Sequence, residues 1–233
     1  MSEPAVITID GPSGTGKGTL AMRLARRLGW HLLDSGVLYR VLAWVAGQQG
    51  LPTGQNSEIA ALATGLQVEL VPDSGTEPAR VRLDGEDISD QIRSEECGSA
   101  ASVIAASTEV RQAILQWQRD FRRPPGLIAD GRDMGTVVFP DAGLKIYLTA
   151  GPQERAKRRY KQLNAKGIDA NLPRLSTEMA ERDARDRQRA ISPLAPAADA
   201  AVIDTTAVRP DAVFEKVWQL YQGAFGDPGG NGD

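Results

Sequence analysis

The sequence predicts an α/β fold in which helices flank a parallel sheet. Residues 6–9 are apolar and largely β-branched, which is the composition of a buried parallel strand. A glycine-rich loop follows over 11–19, and Leu20, Leu24 and Leu28 then recur at the spacing of one helical face. Further short apolar strands alternate with helical patterns along the chain, as in βαβ units.

The glycine-rich loop, GPSGTGKGT at 11–19, has the preceding strand and following helix that a phosphate-binding loop requires. Its glycines let the backbone turn tightly and bring N–H groups close to phosphate oxygens, and the helix N-terminus adds positive partial charge. Lys17 can then reach the β- and γ-phosphates as a mobile positive charge. The alternative interpretation is a glycine turn that carries a surface lysine.

The residue after Lys17 is Gly18, where most P-loop switches and ATPases have Ser or Thr, and the hydroxyl comes one place later at Thr19. This departure weakens direct Mg²⁺ ligation by the loop and indicates a metal held mainly through water and nucleotide. We therefore expect no direct protein ligands for a metal. The ending Gly-Lys-Gly-Thr resembles that of nucleoside monophosphate kinases.

Composition limits the possible architectures and partners. At 233 residues with 41% hydrophobic content, the chain can form one α/β domain with a small insertion, or two small domains. The formal charge of −3 and the pI near 5.4 provide no basic field that would attract nucleic acid or an anionic membrane. Cys97 is the only cysteine, which excludes an internal disulfide and a cysteine-based zinc site.

The sequence also lacks the patterns of a membrane or exported protein. It has no run of about 18 apolar residues, and its acidic beginning is unlike a signal peptide. These features predict a soluble cytoplasmic protein. Residues 226–233 are rich in glycine and poor in apolar groups, and we expect this tail to be disordered.

The elements after the first helix follow the alternation that the fold class requires, until residue 51. A short strand over 30–33 leads into a helix whose apolar face carries Leu38, Val41, Leu42 and Val45. The next segment predicts a short helix and then antiparallel strands, with a helix at 57–66, a strand at 67–71, a turn at 72–75 and a hairpin at 81–88. Antiparallel strands inside a βαβ chain imply a small separate lobe, with limits near 63 and 99.

The second half returns to alternating helices and strands. Two helices are predicted over 94–106 and 108–123, and a strand over 127–129 then ends in the glycine-punctuated loop 130–135. Ligands of open parallel sheets bind at the carboxyl ends of strands, so this loop is a candidate binding site. The remaining pattern is a strand at 144–148, a helix that begins near Pro152, a strand at 201–204 and a helix at 211–225.

Segment 154–189 is positively charged, with eleven basic and six acidic side chains, whereas the whole chain has a formal charge of −3. One interpretation is two surface helices laced by i,i+4 ion pairs, for which Arg182 and Asp186 are candidates. The other is a cationic face, because Arg182, Arg185, Asp186 and Arg189 fall at i, i+3, i+4 and i+7. A P-loop kinase needs such a cationic group opposite the phosphates.

Four motifs together closely resemble the bacterial cytidylate kinase family. They are GPSGTGKGT at 11–19, HLLDSG at 31–36 with Tyr39 and Arg40 after it, ADGRDMGT at 129–136, and ERDARDR at 181–187. The similarity spans about residues 4–225, and the third motif is far more specific than the glycine-rich loop.

The resemblance implies a P-loop kinase with a five-stranded parallel sheet flanked by helices, an antiparallel NMP-binding insert and a short helical lid. The core would comprise 1–62, 100–153 and 190–225, the insert 63–99, and the lid with its arginine-rich helices 154–189. The implied reaction is ATP-dependent phosphorylation of CMP and dCMP, so ATP and these acceptors would be the partners. We expect a monomer, because no helix shows a second apolar face.

The resemblance also implies roles for individual residues. ATP would bind Gly11, Pro12, Ser13, Gly14, Thr15, Gly16, Lys17, Gly18 and Thr19, and the lid residues Arg155 and Arg159. The acceptor would contact Ser35, Arg40, Arg132 and Asp133 around its phosphate and ribose, and Ser102, Arg111 and Asp186 at its base. The catalytic groups near the transferring phosphate would be Lys17, Arg132, Arg182 and Arg189.

The implied reaction needs no general base. The acceptor is a phosphate monoester with a second pKa of about 6, so at neutral pH it is already largely an anionic nucleophile. Catalysis then depends on Mg²⁺, Lys17 and arginines that neutralise and align two polyanions, while lid closure excludes water.

Two other functions stay open at this stage. A nucleotide-dependent switch would have Ser or Thr directly after Lys17 and a guanine-reading N-K-x-D sequence, and the chain has neither. A kinase of the same fold could instead phosphorylate another monophosphate, or the hydroxyl of a sugar or acid. The dependence of ADP release on the acceptor separates all three.

Overall fold

The computed structural model describes residues 3–71, 79–165 and 167–227. The elements are β1 (Ala5–Asp10), α1 (Lys17–Leu28), β2 (His31–Asp34), α2 (Ser35–Gln48), α3 (Asn56–Leu62), β3 (Val68–Val71), β4 (Arg80–Leu83), β5 (Glu86–Asp87), α4 (Glu95–Ile104), α5 (Thr108–Arg119), β6 (Gly126–Gly131), β7 (Leu144–Thr149), α6 (Pro152–Ala165), α7 (Leu172–Gln188), β8 (Ala201–Asp204) and α8 (Pro210–Phe225). A short 3₁₀-helix at Gln91–Arg93 and a π-helix at Met134–Val138 lie between them.

Within those ranges, five parallel strands form the central sheet in the order β2-β6-β1-β7-β8. The central strand β1 is apolar on both faces. Ile7 and Ile9 pack with α1 and α8, whereas Val6 packs with α2 and the π-helix. Burial on both faces is the reason such a strand reads as a continuous apolar run. The predicted α/β fold with a five-stranded parallel sheet flanked by helices is confirmed.

The register of the sheet determines where ligands can bind. β1 and β6 pair in parallel, and Asp10 lies opposite Gly131. The glycine-rich loop after β1 and the loop after β6 therefore leave the sheet at the same edge. This edge is formed by the carboxyl ends of the strands, where open α/β sheets bind their ligands.

The antiparallel insert is confirmed in the described residues. β3, β4 and β5 form a separate sheet, and its residues Val81 and Leu83 pack against Val41 and Val45 of α2. The turn predicted at 72–75 lies outside the described residues, as does most of the tail predicted to be disordered. The domain limits, including those of the insert, stay predictions.

Several predicted bounds are wrong in detail. The helix predicted to reach residue 66 ends at Leu62, and the next three amides bond to carbonyl groups three residues earlier. Thr64 and Gly65 follow that end, and both are weak helix formers. The predicted bounds of the loop at 130–135 are wrong as well, because β6 continues to Gly131 and a π-helix begins at Met134.

Segment 154–189 forms α6 and α7, which pack against each other. The i,i+4 pairs Arg158–Glu154 and Arg174–Glu178 show that part of this charge does lace the helix surfaces. Arg182 and Arg185 instead border a cavity, so both interpretations of the segment hold for different residues. No helix in the described ranges has the length and apolar character needed to cross a membrane.

Candidate active site

The glycine-rich loop has a backbone that side chains would obstruct. Gly11 has φ 141°, and a Cβ there would lie 2.0 Å from the carbonyl oxygen of Leu148 on β7. Gly16 has φ 95° and is the last residue before α1 begins at Lys17. Only glycine adopts such angles without strain. The loop therefore presents its backbone and the N-terminus of α1 as an anion-binding surface.

Lys17 is buried, so the alternative of a surface lysine on a glycine turn is wrong. Its side chain lies within the loop, and Nζ donates a hydrogen bond to the carbonyl oxygen of Pro12 at 3.0 Å. Burial lowers the pKa of Lys17 to about 8, with a further contribution from the positive charge of Arg132, while Asp130 and Asp34 oppose the shift. A bound polyphosphate would restore the charged form.

Asp10, the last residue of β1, connects the two ligand loops. Its carboxylate accepts hydrogen bonds from the backbone amides of Met134 at 2.9 Å and Gly135 at 2.8 Å. Burial raises the pKa of Asp10 to about 6, and the two amide bonds partly offset that effect. The π-helix after Asp133 is thus held directly against the start of the glycine-rich loop. Sequence analysis missed this contact.

Asp133 and Arg111 form a buried ion pair. Arg111 also donates to the carbonyl oxygen of Ala105 at 3.2 Å, and its guanidinium carbon lies 5.8 Å from the ring centroid of Tyr39. Nearby in the sequence, Ser102 is buried and its hydroxyl has no hydrogen-bond partner in the described part of the chain. A buried hydroxyl without a partner is costly, and a ligand that pairs with it removes that cost.

Asp186 is the centre of a second ion-pair group. Its carboxylate accepts from Arg132 Nε at 3.0 Å and from Arg189 Nη2. Burial opposes ionisation of Asp186, but the charges of Arg132, Arg189 and Arg182 outweigh it and lower its pKa. The expected pairing of Asp186 with Arg182 is not formed, so the view of Asp186 as one half of a surface i,i+4 pair is wrong.

Arg182 and Arg185 border a cavity of about 490 Å³ between the glycine-rich loop, α2, α4, α6 and α7. Neither forms an ion pair in the described ranges, and the Nε of each is buried without a hydrogen-bond partner. Burial and, after it, the charge of Arg132 lower the pKa of Arg182 to about 9, while Asp186 and Glu95 oppose the shift. Four glutamates border the cavity as well, Glu95, Glu96, Glu178 and Glu181. Because Arg182 and Arg185 form no ion pair of their own there, they are the candidates for binding a phosphate anion in this cavity.

The other predicted residues divide between the cavity and its surroundings. Arg40 borders the cavity and donates to the carbonyl oxygens of Ile92 at 2.7 Å and Ser94 at 3.1 Å. Arg159 borders it as well, paired with Glu95. Ser35 is buried at the start of α2, and a Cβ on Gly131 would lie 2.6 Å from its hydroxyl oxygen.

Arg155 does not reach the cavity. Its guanidinium is buried and bonded to Ala150, Ser13 and Asp183, so it has the surroundings of a structural group. Its predicted role in binding ATP stays a prediction. Arg185 also borders the cavity; sequence analysis placed it on the cationic face with Arg182 and Arg189 but assigned it no individual contact with a substrate.

The described side chains provide few direct ligands for a metal. No group of three or more His, Cys, Asp or Glu in the described ranges could hold one. The carboxylate of Asp130 lies beside the loop, since its Oδ2 would lie 3.5 Å from a Cβ on Gly18. Burial raises the pKa of Asp130 to about 7, while Lys17 opposes the shift. This donor set fits an ion held mainly by nucleotide and water.

The fold and the site together define a class of protein. A phosphate-binding loop lies at the carboxyl edge of a parallel sheet, and a cavity lined by five arginines and four glutamates lies between this loop and α6 and α7. This is the arrangement of a P-loop kinase, which needs cations around both the donor and the acceptor phosphates.

Comparison with known proteins identifies the family. A family model described as cytidylate kinase matches residues 7–223. A cytidylate kinase from Nitrosococcus oceani is 56% identical over 215 residues, which are 92% of this chain and 95% of that protein. Those from Aeromonas hydrophila and Azotobacter vinelandii are 55% and 52% identical, over 95% and 92% of this chain and 96% and 93% of theirs. The chain belongs to the cytidylate kinase family, so the resemblance is confirmed.

Proposed function

We propose that this protein transfers the γ-phosphoryl group of ATP to CMP, and to dCMP, by in-line attack. The observation that carries the proposal is the pair of guanidinium groups of Arg182 and Arg185, which form no ion pair in the described ranges and border a cavity that Ser13 of the phosphate-binding loop also borders. Family membership supports CMP as the acceptor and ATP as the donor. A nucleotide switch has no use for a second anion site at this place.

The mechanism requires alignment and charge neutralisation only. The acceptor phosphate is an anionic nucleophile at neutral pH, so no side chain has to remove a proton. Lys17 would bind the donor phosphates, and Arg132, Arg182 and Arg189 would neutralise the transferring group and hold the acceptor in line. Mg²⁺, when bound, supplies further charge neutralisation on the phosphates. Asp130, beside Gly18, would accept hydrogen bonds from the waters of that ion.

Recognition of cytosine is assigned to Ser102, Arg111 and Asp186. The ion pairs of the site leave part of the hydrogen-bonding capacity of Asp186 and Arg111 unused. A carboxylate has about four acceptor positions, and Asp186 uses two of them with Arg132 and Arg189. Arg111 likewise has N–H groups beyond those bonded to Asp133 and Ala105. The hydroxyl of Ser102 is unpaired. A base could therefore bind without breaking the pairs.

A panel of acceptors tests the proposed function. ADP release in the presence of ATP and Mg²⁺ is measured with CMP, dCMP, UMP, AMP and GMP, with a sugar or an acid, and with no acceptor. We expect CMP and dCMP to have the largest kcat/KM and release without acceptor to be negligible. Equal rates with and without acceptor would indicate a nucleotide hydrolase or switch instead.

Binding of ATP should take up a proton because of Lys17. At pH 8, with a pKa of about 8, half of the Lys17 side chains are neutral in the free enzyme. Donor phosphates would return the pKa of Lys17 towards its ordinary value, so about half a proton is taken up per ATP bound at that pH. Calorimetry in two buffers of different ionisation enthalpy measures this number. Lys17→Arg stays charged and is the matched control, and equal proton uptake in both proteins would contradict the assignment.

Asp133 is proposed to accept a hydrogen bond from the acceptor's sugar. The competing view, an Asx turn that stabilises the loop, finds no support because Asp133 makes no capping hydrogen bond and Asp10 binds the loop amides. We expect Asp133→Ala to raise KM for CMP and dCMP by at least about tenfold. Asp120→Ala, at the exposed end of α5, is the control. A lower melting temperature with unchanged KM values would mean that Asp133 serves only to pair with Arg111.

The localisation, the oligomeric state and the lack of binding to nucleic acid stay predictions. Composition favours a cytoplasmic monomer that does not bind nucleic acid. Size-exclusion chromatography with light scattering measures the oligomeric state. The result of the acceptor panel can be interpreted whether the protein is a monomer or an oligomer.

A further inference from the structure

A buried ion pair connects the lid helices to the phosphate-binding loop. Arg155, in the first turn of α6, is 2% exposed. Its Nε donates to the carbonyl oxygen of Ala150 at 3.1 Å and its Nη1 to that of Ser13 at 3.0 Å. Its Nη2 donates to the carboxylate of Asp183 on α7. One guanidinium thus joins the end of β7, the loop and α7.

The backbone of the loop also packs against these helices at the same place. A Cβ on Gly14 would lie 3.0 Å from Arg155 Cβ and 3.2 Å from the terminal methyl carbon of Met179. The outer side of the loop therefore rests on α6 and α7 without a gap. Small movements of α7 relative to α6 must be transmitted to the loop, because a packed interface is not freely deformable.

The pair is poorly suited to serve stability alone. Both side chains are buried, with exposures of 2% and 5%, and removing two charges from water costs about as much as their attraction returns. Asp183 Oδ1 is also buried without a hydrogen-bond partner in the described part of the chain. Its other neighbour, Arg187, lies 3.8 Å away and is 60% exposed. Such a pair does hold the two helices that it joins in one relative position.

We propose that the Arg155–Asp183 pair is a positioning device that fixes α7 against the phosphate-binding loop. Asp183 directly follows Arg182, and Asp186 lies one turn further on the same helix. The pair therefore sets the distance between the donor loop and the arginines assigned to the acceptor phosphate. In-line transfer is sensitive to displacements of about 1 Å. The inference rests on the proposed function, because it presumes those two phosphate sites.

The test separates turnover from binding. Asp183→Asn preserves the shape of the side chain, and Arg155→Lys preserves its charge but can reach one acceptor in place of three. At saturating ATP and CMP, we expect kcat to fall at least about tenfold in each variant. The separate dissociation constants of ATP and of CMP should stay within about threefold. The double variant should lose little more than either single variant.

Arg187→Gln is the matched control, because it removes the exposed partner of Asp183 and leaves the buried one. We expect its kcat to stay within about twofold of the wild type. If Asp183→Asn folds poorly, the comparison of Arg155→Lys with the Arg187→Gln control tests the proposal. All rates are measured below the melting temperature and are given per folded molecule.

Two results would overturn the inference. A normal kcat with only a lower melting temperature would make the pair purely structural, and a selective loss of ATP affinity would make Arg155 a direct ATP ligand. Lys17→Ala in the same assay distinguishes a failure of the proposed function. If Lys17→Ala is inactive while Asp183→Asn turns over normally, the inference on the pair fails and the site assignment stands.

Discussion

Lys17→Ala should lower kcat by about 10³-fold or more, because the transition state loses a preorganised cation in a site that excludes water. Nζ of Lys17 lies inside the phosphate-binding loop and is held there by the carbonyl oxygen of Pro12. A cation in this position stabilises the negative charge that develops on the transferring phosphoryl group. Water replaces this cation poorly, because the Lys17 side chain is buried.

The measurement is the rate of ADP release with CMP, together with circular dichroism to establish that the variant is folded. Lys216→Ala, on the exposed face of α8, controls for the loss of a positive charge elsewhere. Turnover close to that of the wild type in folded Lys17→Ala would falsify the assignment of the phosphate-binding loop.

Asp186→Ala should have the second large effect, on the choice of base. Cytosine offers an exocyclic amine donor and an unprotonated ring nitrogen, and uracil offers a carbonyl and an N–H in their places. Asp186 can accept from the amine of cytosine but would face the carbonyl of uracil as acceptor to acceptor. Arg111 can donate to the ring nitrogen of cytosine but would meet the N–H of uracil as donor to donor. Each mismatch leaves a buried group unpaired, at a cost of about 1–3 kcal/mol.

We therefore expect Asp186→Ala to narrow the ratio of kcat/KM for CMP to that for UMP by at least about tenfold. Activity on both substrates should fall as well, because Arg132 and Arg189 lose their shared partner. The ratio is the informative quantity, since that common loss cancels in it. Asp186→Asn keeps the size of the side chain and should narrow the ratio in the same direction. An unchanged ratio in both variants would exclude a role in reading the base.

Much of the site could be predicted from the sequence because its residues lie in contiguous motifs. Three of the four motifs leave a strand at the carboxyl edge of the sheet, so local order along the chain was enough to bring Lys17 and Asp133 to that edge, whereas the fourth lies inside α7. The role of Asp10 could not be predicted in this way. Its contact with Met134 and Gly135 depends on the pairing of β1 with β6 across more than a hundred residues.

The arginines of α6 show why a count of charges is insufficient to predict which side chains reach the site. Arg155, Arg158 and Arg159 carry the same charge. They differ only in their position around the axis of α6 and in the elements that pack against each position. Arg155 turns inward to Asp183, Arg158 binds the backbone of Thr205, and Arg159 pairs with Glu95 at the cavity. A pattern of basic residues predicts a cationic helix, whereas tertiary packing decides which of them faces the phosphates.

The central claim is that donor and acceptor phosphates meet in line beside Arg182. The most direct measurement is calorimetric binding of adenosine and cytidine joined by five phosphates, a molecule that spans both sites at once. The wild type should bind it at least about 100-fold more tightly than ATP or CMP, and both Lys17→Ala and Arg182→Ala should lose most of that gain. Binding no tighter than that of ATP alone, or unaffected by Arg182→Ala, would contradict the claim.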